Sequence, residues 1–258
     1  MHFIETVQNT VVKEKEIAVF WLGQAGFLIK THSGKQIAID PYFSDCVEQI
    51  EKLRGFKRLM PPPCQAQELS LDVLIISHEH NDHFDVGAIR DLVREKTQVY
   101  TNSVVAAQML KMGFSESQIH TLQKEIPNYL EDFTLLPVDC DHGSLAPEAL
   151  GIILDFGFSK LYYAGDTALT PERLHTPIKL KPDVAILPIN GAFGNLNGTQ
   201  AATYAGMLHC KTCIPCHFWT FPLHHGDPQE IIDCIESEAP DCRLVLLCQG
   251  EHHLITGV

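Results

Sequence analysis

The sequence predicts an α/β fold in which two sheets pack face to face with helices outside, a four-layer αββα sandwich in one domain over residues 1–258. Three observations predict this fold. The first half of the chain reads mostly as hairpins, the second half alternates strands with helices, and no Gly/Ser-rich linker or charge block divides them. A chain of 258 residues can bury most of the surface that it exposes when unfolded.

Short apolar runs bounded by turn residues predict the strands. Residues 18–22 and 27–30 read as two strands joined at the tight turn Gly23-Gln24-Ala25-Gly26. Near-continuous apolar runs at 71–77 and 184–189 predict strands buried on both faces. The remaining predicted strands are residues 36–40, 98–101, 133–138, 151–156, 160–164, 213–218 and 244–248.

Four segments are predicted to be helices, namely residues 86–96, 104–112, 199–209 and 229–238. Gly113 ends the second of them. Gly198 or Thr199 lies near the N-cap of the third, and Pro228 precedes the fourth as a good first-turn residue. Residues 44–70 are irregular and indicate a surface excursion.

The composition narrows the class of partner. The formal net charge of −13 argues against nucleic acid, which normally needs a basic face, but leaves a small anionic substrate open. No stretch approaches the ~18 apolar residues of a membrane helix, and residues 1–16 lack the apolar core of a signal peptide. We therefore expect a cytoplasmic protein with a small-molecule substrate and no membrane partner. A homo-oligomer is compatible with this reading, although no interface signal is evident.

The nine cysteines are interpreted as buried free thiols in a reducing compartment, because most lie inside apolar runs. Cys210, Cys213 and Cys216 have a C-x2-C-x2-C spacing that is typical of iron–sulfur ligation. The fourth cysteine of that pattern is absent, and Cys213 and Cys216 fall on opposite faces of a predicted strand. We therefore favour buried thiols over a cluster. Likewise, His252-His253 is interpreted as a polar strand end.

The strongest chemical signal is Ser77-His78-Glu79-His80-Asn81-Asp82-His83, between a predicted buried strand and a predicted helix. Three imidazoles and a carboxylate within one loop suit divalent ions such as zinc, manganese or iron. The alternative, a solvated polar turn whose histidines are accidental, requires three histidines at these offsets by chance.

Three further candidate ligands lie at or near the ends of predicted strands: His142, Asp166 and His217. Loops at strand ends are where α/β folds place their chemistry. Taken singly, His142 and Asp166 could be turn residues and His217 a core histidine. Their order after the first cluster favours a shared metal site.

The ordered set, with Asp40 after an early strand, resembles the metallo-β-lactamase superfamily. The resemblance implies the metallo-β-lactamase fold and two divalent ions, zinc or manganese. It implies that His78, His80 and His142 hold one ion. Asp82, His83 and His217 would hold the second, with Asp166 bridging the two ions and Asp40 orienting a ligand histidine. Di-iron electron-transfer members carry Glu at the position of His80; here Glu79 is expected to point away from the metals, which favours hydrolysis.

Several tracts are similar to the branch that contains L-ascorbate-6-phosphate lactonase and related hydrolases. They are residues 21–29, Asp40-Pro41, residues 77–86, residues 214–218 and residues 227–231. The resemblance implies hydrolysis of a small lactone or ester, such as a sugar-phosphate lactone.

The implied mechanism uses a metal-bound hydroxide, since paired divalent ions bring the pKa of a bound water near neutrality. Asp82 and Asp166 are the predicted catalytic carboxylates, as water-orienting and bridging groups. Asn190 and Trp219 are candidate pocket residues, and His224 and His225 are candidate proton donors that could equally be exposed loop histidines. Two alternatives stay open: a metal-dependent phosphodiesterase or nuclease on the same scaffold, and a non-catalytic metal-binding relative.

Overall fold

Two β-sheets, one in each of two compact units, organise the computed structural model, which describes residues 2–257. The first unit comprises residues up to Leu122 together with the segment from Leu247 to Gly257, and the second runs from Gln123 to Leu246. Each unit combines antiparallel and parallel strand pairs, so the predicted contrast between a hairpin-rich first half and an alternating second half is wrong. That the whole chain is one domain stays a prediction.

The first unit carries a mixed sheet with the strand order β14-β1-β2-β3-β4-β5-β6 within the described residues. Its strands are β1 (Glu16–Gly23), β2 (Gly26–Thr31), β3 (Gln36–Ile39), β4 (Val73–Ile76), β5 (Gln98–Thr101), β6 (Ile119–Thr121) and β14 (His252–Thr256). Strands β3 to β6 are parallel, whereas β14, β1, β2 and β3 pair antiparallel. All four residues of β4 are buried, as expected for the apolar run of a strand between two parallel neighbours.

The helices of this unit are α1 (Phe3–Asn9), α2 (Cys46–Glu51), α3 (Ile89–Leu92) and α4 (Ser103–Lys111). Asn102 caps α4, since its side-chain oxygen accepts a 2.9 Å hydrogen bond from the amide of Val105. In α1, Phe3 and Val7 face the core one helical turn apart. Between residues 2 and 257, no helix has the length and apolar character needed to cross a membrane.

The second unit carries a mixed sheet with the order β13-β12-β11-β10-β9-β8-β7 across its described residues. Its strands are β7 (Asn128–Tyr129), β8 (Thr134–Asp139), β9 (Leu150–Asp155), β10 (Lys160–Tyr163), β11 (Val184–Pro188), β12 (Thr212–Cys216) and β13 (Arg243–Leu244). Strands β10 to β13 are parallel. Because β8, β9 and β10 pair antiparallel in turn, β8 runs in the same direction as β10.

The helices of the second unit are α5 (His175–Leu180), α6 (Gly198–Leu208) and α7 (Pro228–Glu238). Helices α6 and α7 pack closely at two glycines. A Cβ added at Gly206 would lie 2.2 Å from the carbonyl oxygen of Glu238, and one at Gly198 would lie 2.6 Å from Glu230 Cβ. Side chains at these two positions would push the helices apart.

The two central apolar strands and the turn at residues 23–26 are confirmed, and two predicted elements are wrong in extent. The predicted helix over residues 86–96 contains only α3, because a turn closes from Arg94 to Thr97, where the Thr97 hydroxyl accepts from the Arg94 amide. The predicted strand over 244–248 ends at Leu244, and a turn at residues 248–251 leads to β14, which pairs with β1.

Candidate metal centre

The first set of predicted ligands lies in the loop of residues 77–85, which leaves the carboxyl end of β4. Asp40 leaves the neighbouring parallel strand β3 at the same edge of the sheet. Ligands in open α/β sheets bind at this edge, outside the carboxyl ends of the strands. The sheet therefore brings five of the predicted residues to one place in the first unit.

Asp40 lies in hydrogen-bond contact with His83. Its Oδ2 lies 2.7 Å from Nδ1 of His83, and both side chains are fully buried. A carboxylate only accepts, so Nδ1 of His83 carries the proton and Nε2 presents its lone pair. This tautomer is the one in which Nε2 of His83 can bind a cation.

Ser77 fixes the tautomer of His78 in a similar way. Its amide donates to Asp40 Oδ1 at 2.7 Å, and its hydroxyl donates to Asp40 Oδ2 at 2.5 Å. With its proton directed at Asp40, the Ser77 oxygen accepts from Nδ1 of His78 at 2.9 Å. The lone pair of His78 therefore also lies on Nε2. One buried carboxylate thus fixes the tautomers of two histidines.

The lone pair of His78 Nε2 points at a second imidazole. Nε2 of His78 lies 3.0 Å from Nδ1 of His80, with the rings at 78° to each other. Two imidazole nitrogens so placed converge either on a shared proton or on a cation. Between them in the sequence, Glu79 accepts a 3.3 Å hydrogen bond from the side-chain amide of Asn102, at the N-terminus of α4.

Asp82 is held by a residue from the turn between β1 and β2. The side-chain amide of Gln24 donates to Asp82 Oδ2 at 2.8 Å, and the same oxygen lies 3.9 Å from Nε2 of His83. Gln24 adopts a left-handed backbone conformation (φ 51°), and its carbonyl accepts a 3.0 Å bond from the indole of Trp21. The turn therefore positions Gln24 to orient the carboxylate.

The far end of the 77–85 loop is tied down by buried Asp85. Its Oδ2 accepts from the amides of Phe43 and Ser44 at 2.7 and 2.8 Å, and its Oδ1 bonds to the Ser44 hydroxyl and two further amides. A carboxylate with this many donors is held firmly in place. The loop that carries the ligands is therefore fixed at both ends.

The second set of predicted ligands lies at the strand ends of the second unit. Asp166 follows β10, His217 follows the parallel strand β12, and His142 follows β8, which runs in the same direction. All three side chains are buried. His217 has a left-handed backbone conformation (φ 61°), a strained geometry that clusters at functional sites.

Asp166 presents one oxygen to each of the two histidines. Its Oδ2 lies 3.6 Å from Nε2 of His142, and its Oδ1 lies 3.3 Å from Nε2 of His217. A carboxylate placed in this way has the arrangement of a bridging ligand, with one histidine on each side.

Arg173 fixes the segment that precedes His142. Its guanidinium donates twice to Asp139, at 2.9 and 3.0 Å, and once to Asp141 at 2.8 Å. Burial raises the pKa of Asp139, but hydrogen bonds from Arg173 and Lys124 outweigh that effect, and the net pKa is lowered. A hydrogen bond from the Thr170 hydroxyl and the charge of Arg173 lower the pKa of Asp141. Both carboxylates are therefore ionised at neutral pH and hold the segment before His142 to Arg173.

The four predicted pocket residues lie in two loops of the second unit, after β11 and β12. The side-chain amide of Asn190 lies 3.3 Å from Nδ1 of His224, whose ring centroid is 5.7 Å from that of His217. Trp219 is half exposed, and its amide donates to the carbonyl of His225 at 2.6 Å. Asn190 and His224 thus lie together beside a predicted ligand, whereas His225 is tied in through its backbone.

Four residues that orient the predicted ligands are missing from the sequence prediction: Gln24, Ser77, Asp85 and Arg173. Gln24 was interpreted as part of a tight turn, and no residue near it in the sequence indicates a contact with Asp82, 58 positions later. Ser77 and Asp85 flank the histidine motif, so their position was a usable signal. Arg173 gave no signal, because its two aspartate partners lie more than 30 positions earlier.

The donor chemistry of these residues fits divalent metal ions. Imidazole nitrogens and carboxylate oxygens are the ligands that zinc, manganese and iron share. In the first unit, ligand atoms of Asp40, His78 and His83 lie within 4.8 Å of one another. Both oxygens of Asp40 already accept hydrogen bonds, so it orients ligands, whereas His78 and His83 offer Nε2.

The comparisons with known proteins agree with this chemistry. Residues 18–217 match the family described as the beta-lactamase superfamily domain. A UPF0173 metal-dependent hydrolase from Methanobrevibacter smithii is 30% identical over 251 residues, which cover 90% of this chain and 94% of that relative.

Solved structures show the same architecture. Igni18, a metallo hydrolase from Ignicoccus hospitalis, is similar with a TM-score of 0.72 at 22% identity, over 93% of this chain and 98% of that one. The metallo-beta-lactamase fold protein YhfI from Bacillus subtilis is similar with a TM-score of 0.68 at 15% identity, over 93% of this chain and 100% of that one. The fold is the metallo-β-lactamase fold. The chain belongs to the metallo-β-lactamase superfamily and, within it, to the UPF0173 metal-dependent hydrolase family.

Proposed function

We propose that this protein is a metal-dependent hydrolase that acts on a small lactone or ester, such as a sugar-phosphate lactone. One observation carries the proposal: Asp166 presents one oxygen to His142 and the other to His217, the arrangement of a carboxylate that bridges two cations. Membership of a family of metal-dependent hydrolases supports it.

The ligand assignment follows the superfamily motif order. His78, His80 and His142 would hold one ion, and Asp82, His83 and His217 the other, with Asp166 shared. Within the first unit the close pairs support this division, because His78 Nε2 lies 3.0 Å from His80 Nδ1 and His83 Nε2 lies 3.9 Å from Asp82 Oδ2. Zinc or manganese fits this set of nitrogen and oxygen donors.

When bound, divalent cations would lower the pKa of water and polarise the scissile group of the substrate. The protein side chains would supply orientation and proton control. Asp40 keeps the proton of His83 on Nδ1, and Ser77 keeps that of His78 on Nδ1. Gln24 holds Asp82 through Oδ2, and Asp82 would orient the attacking water.

The substrate class is proposed from charge and from the lactonase-like tracts. A net charge of −13 disfavours a long polyanion, whereas a small phosphorylated lactone adds little repulsion. Asn190 and His224, which are hydrogen-bonded to each other beside His217, are placed to contact such a substrate. The free thiols of the chain support a location in the reducing cytoplasm.

The test begins with metal analysis of the purified protein, followed by assays on sugar-phosphate lactones, phosphodiesters and β-lactams. Asp166→Asn should lose metal and activity. Asp183→Asn is the matched control in the same unit. The Asp183 carboxylate accepts hydrogen bonds from Lys160 and Lys211, neither of which is a predicted metal ligand. Turnover of phosphodiesters alone would support the phosphodiesterase alternative. Metal binding without turnover on the panel would support a non-catalytic relative. Activity of Asp166→Asn without bound metal would overturn the mechanism.

A further inference from the structure

A small cavity where α6 and α7 end carries chemistry that the proposed hydrolase does not use. Its volume is about 300 Å³. It is lined by residues that include Gly206, His209, Cys210, Glu238, Asp241 and Cys242. Two of these residues are thiols, and all of them belong to the second unit.

The two thiols are in contact. Sγ of Cys210 lies 3.5 Å from Sγ of Cys242. Cys210 comes just before β12 and Cys242 just before β13, and these strands pair in parallel with Thr212 opposite Arg243. The sheet therefore sets the spacing of the thiols. Closing them to the ~2.05 Å of a disulfide needs a sulfur displacement of about 1.5 Å, within the reach of side-chain rotation.

The thiols differ in access and in acidity. Cys210 is 3% exposed, whereas Cys242 is half-buried. A hydrogen bond with Cys210 lowers the pKa of Cys242, and the same bond together with burial raises the pKa of Cys210. Cys242 is thus the accessible and more readily ionised thiol, and Cys210 is the buried thiol next to it.

The Cys210–Cys242 contact involves a different set of cysteines from the C-x2-C-x2-C spacing of Cys210, Cys213 and Cys216. Cys213 and Cys216 are both buried on β12, and the sulfur that Cys210 contacts is Cys242, 32 positions later. This pairing favours two-sulfur redox chemistry over iron–sulfur ligation.

We propose that Cys210 and Cys242 form a modification site that exchanges with low-molecular-weight disulfides and closes to an internal disulfide. Cys242 thiolate attacks one sulfur of the small disulfide RSSR, forming a Cys242–S–SR bond and releasing one thiolate, which takes up a proton. Cys210 then loses its proton to solvent and attacks Sγ of Cys242, which releases the second RSH. Two protein thiols are oxidised, and one small disulfide is reduced to two thiols.

The lining of the cavity indicates which disulfides react best. The residues that line the cavity include two acidic ones, Glu238 and Asp241, and one histidine, His209. A small disulfide that carries amino groups is therefore favoured over one that carries carboxylates. Cystamine is accordingly the probe, and dithiodipropionate is its anionic counterpart.

The experiment treats the full-length reduced protein with cystamine and follows intact mass and cross-linked peptides over time. We expect a loss of two hydrogens and a Cys210–Cys242 linkage that dithiothreitol reverses. In Cys210→Ser, one cysteamine adduct should accumulate on Cys242. A lower thiol pKa raises the thiolate fraction more than it reduces the nucleophilicity of the thiolate, so Cys242 should react faster than Cys248.

Cys248 is the internal control, because it is an exposed free thiol. Cys234→Ser is the matched variant, a half-buried cysteine on α7 whose loss should leave the linkage intact. Wild-type peptide mapping needs no variant to fold. The proposal fails if Cys242 reacts no faster than Cys248, if Cys242 links to another cysteine, or if dithiodipropionate reacts as fast as cystamine. No step depends on turnover, so this test is independent of the proposed hydrolase activity.

Discussion

Replacing Asp40 with Asn is the sharpest perturbation that the structure suggests, because one buried carboxylate fixes two histidines. Asp40 accepts from the Ser77 amide at 2.7 Å, from the Ser77 hydroxyl at 2.5 Å and from His83 Nδ1 at 2.7 Å. Asparagine has one acceptor oxygen. The backbone amide of Ser77 cannot change from donor to acceptor, so the asparagine oxygen must face it and the NH2 group must take the place of Oδ2.

The consequence is a change of tautomer in both rings. Facing an NH2 group, Nδ1 of His83 must accept, and its proton moves to Nε2. The Ser77 hydroxyl now accepts from the asparagine and turns its own proton towards His78 Nδ1, which moves the proton of His78 to Nε2 as well. In Asp40→Asn, both Nε2 atoms therefore become donors where the wild type presents lone pairs.

The expected effect on metal binding follows from the lost hydrogen bonds. Holding either ring in the metal-binding tautomer then costs a hydrogen bond of about 1.5–3 kcal/mol, or roughly 10–100-fold in affinity for each histidine. With both rings affected, metal affinity should fall about 10²–10⁴-fold. The measurement is competition with a chelator of known affinity, together with two-bond ¹H–¹⁵N spectra of the imidazoles in the metal-free protein.

Asp72→Asn is the matched control, because Asp72 accepts a 2.8 Å bond from the Gln36 amide at the other end of β3. It should bind metal as the wild type does. Metal affinity of Asp40→Asn within threefold of the wild type would refute the reasoning. So would spectra in which the protons of His78 and His83 stay on Nδ1.

Three further predictions follow from single contacts. Gln24→Ala removes the 2.8 Å bond to Asp82 and should lower kcat about tenfold in a steady-state assay, with metal content retained. Gly206→Ala forces a Cβ against the Glu238 carbonyl. The steric cost exceeds the gain in helix propensity, so the variant should be less stable by about 2 kcal/mol, which corresponds to a melting temperature about 4–8 °C lower. Arg173→Met should cost about 1 kcal/mol near neutral pH, since its aspartate partners are only partly buried. Folding lowers the pKa of both Asp139 and Asp141. Their ion pairs with Arg173 therefore contribute their whole stabilisation above the ordinary aspartate pKa of about 4, and this contribution is lost as the pH falls through the lower pKa of the folded state. Urea titrations should therefore show a difference between variant and wild type that is constant above about pH 5 and shrinks as the pH falls below about 4.

Each of these variants has an outcome that would contradict it. Gln67→Ala breaks a comparable 2.6 Å bond to Asp91, so an equal loss of kcat there would show that Gln24 has no special role. A thermal melt of Gly206→Ala that matches the wild type would contradict the packing argument, because the added Cβ would then be tolerated against the Glu238 carbonyl. A stability difference for Arg173→Met that grows in acid would reverse the assigned sign.

Local patterns were sufficient where the chemistry is contiguous in the chain. The histidine motif after β4 was evident because its ligands share one loop, and the apolar runs of β4 and β11 predicted buried strands. Sequence patterns gave the wrong helix length where a single side-chain hydrogen bond to the backbone outweighs helix propensity. The helix expected over 86–96 ends early, because the Thr97 side chain accepts from the Arg94 amide in a turn that replaces the last part of the helix.

The sequence by itself determined the superfamily, the sheet-rich α/β class and the identity of the candidate ligands, because these depend on residue types and their order. Only the tertiary structure decided which atoms control them. The Asp40–Ser77–His78 relay, the Gln24–Asp82 bond and the Cys210–Cys242 contact join positions that strand pairing brings together. Such pairings depend on the register of whole strands, and register is set by the packing of an entire sheet face, which no short stretch of sequence specifies.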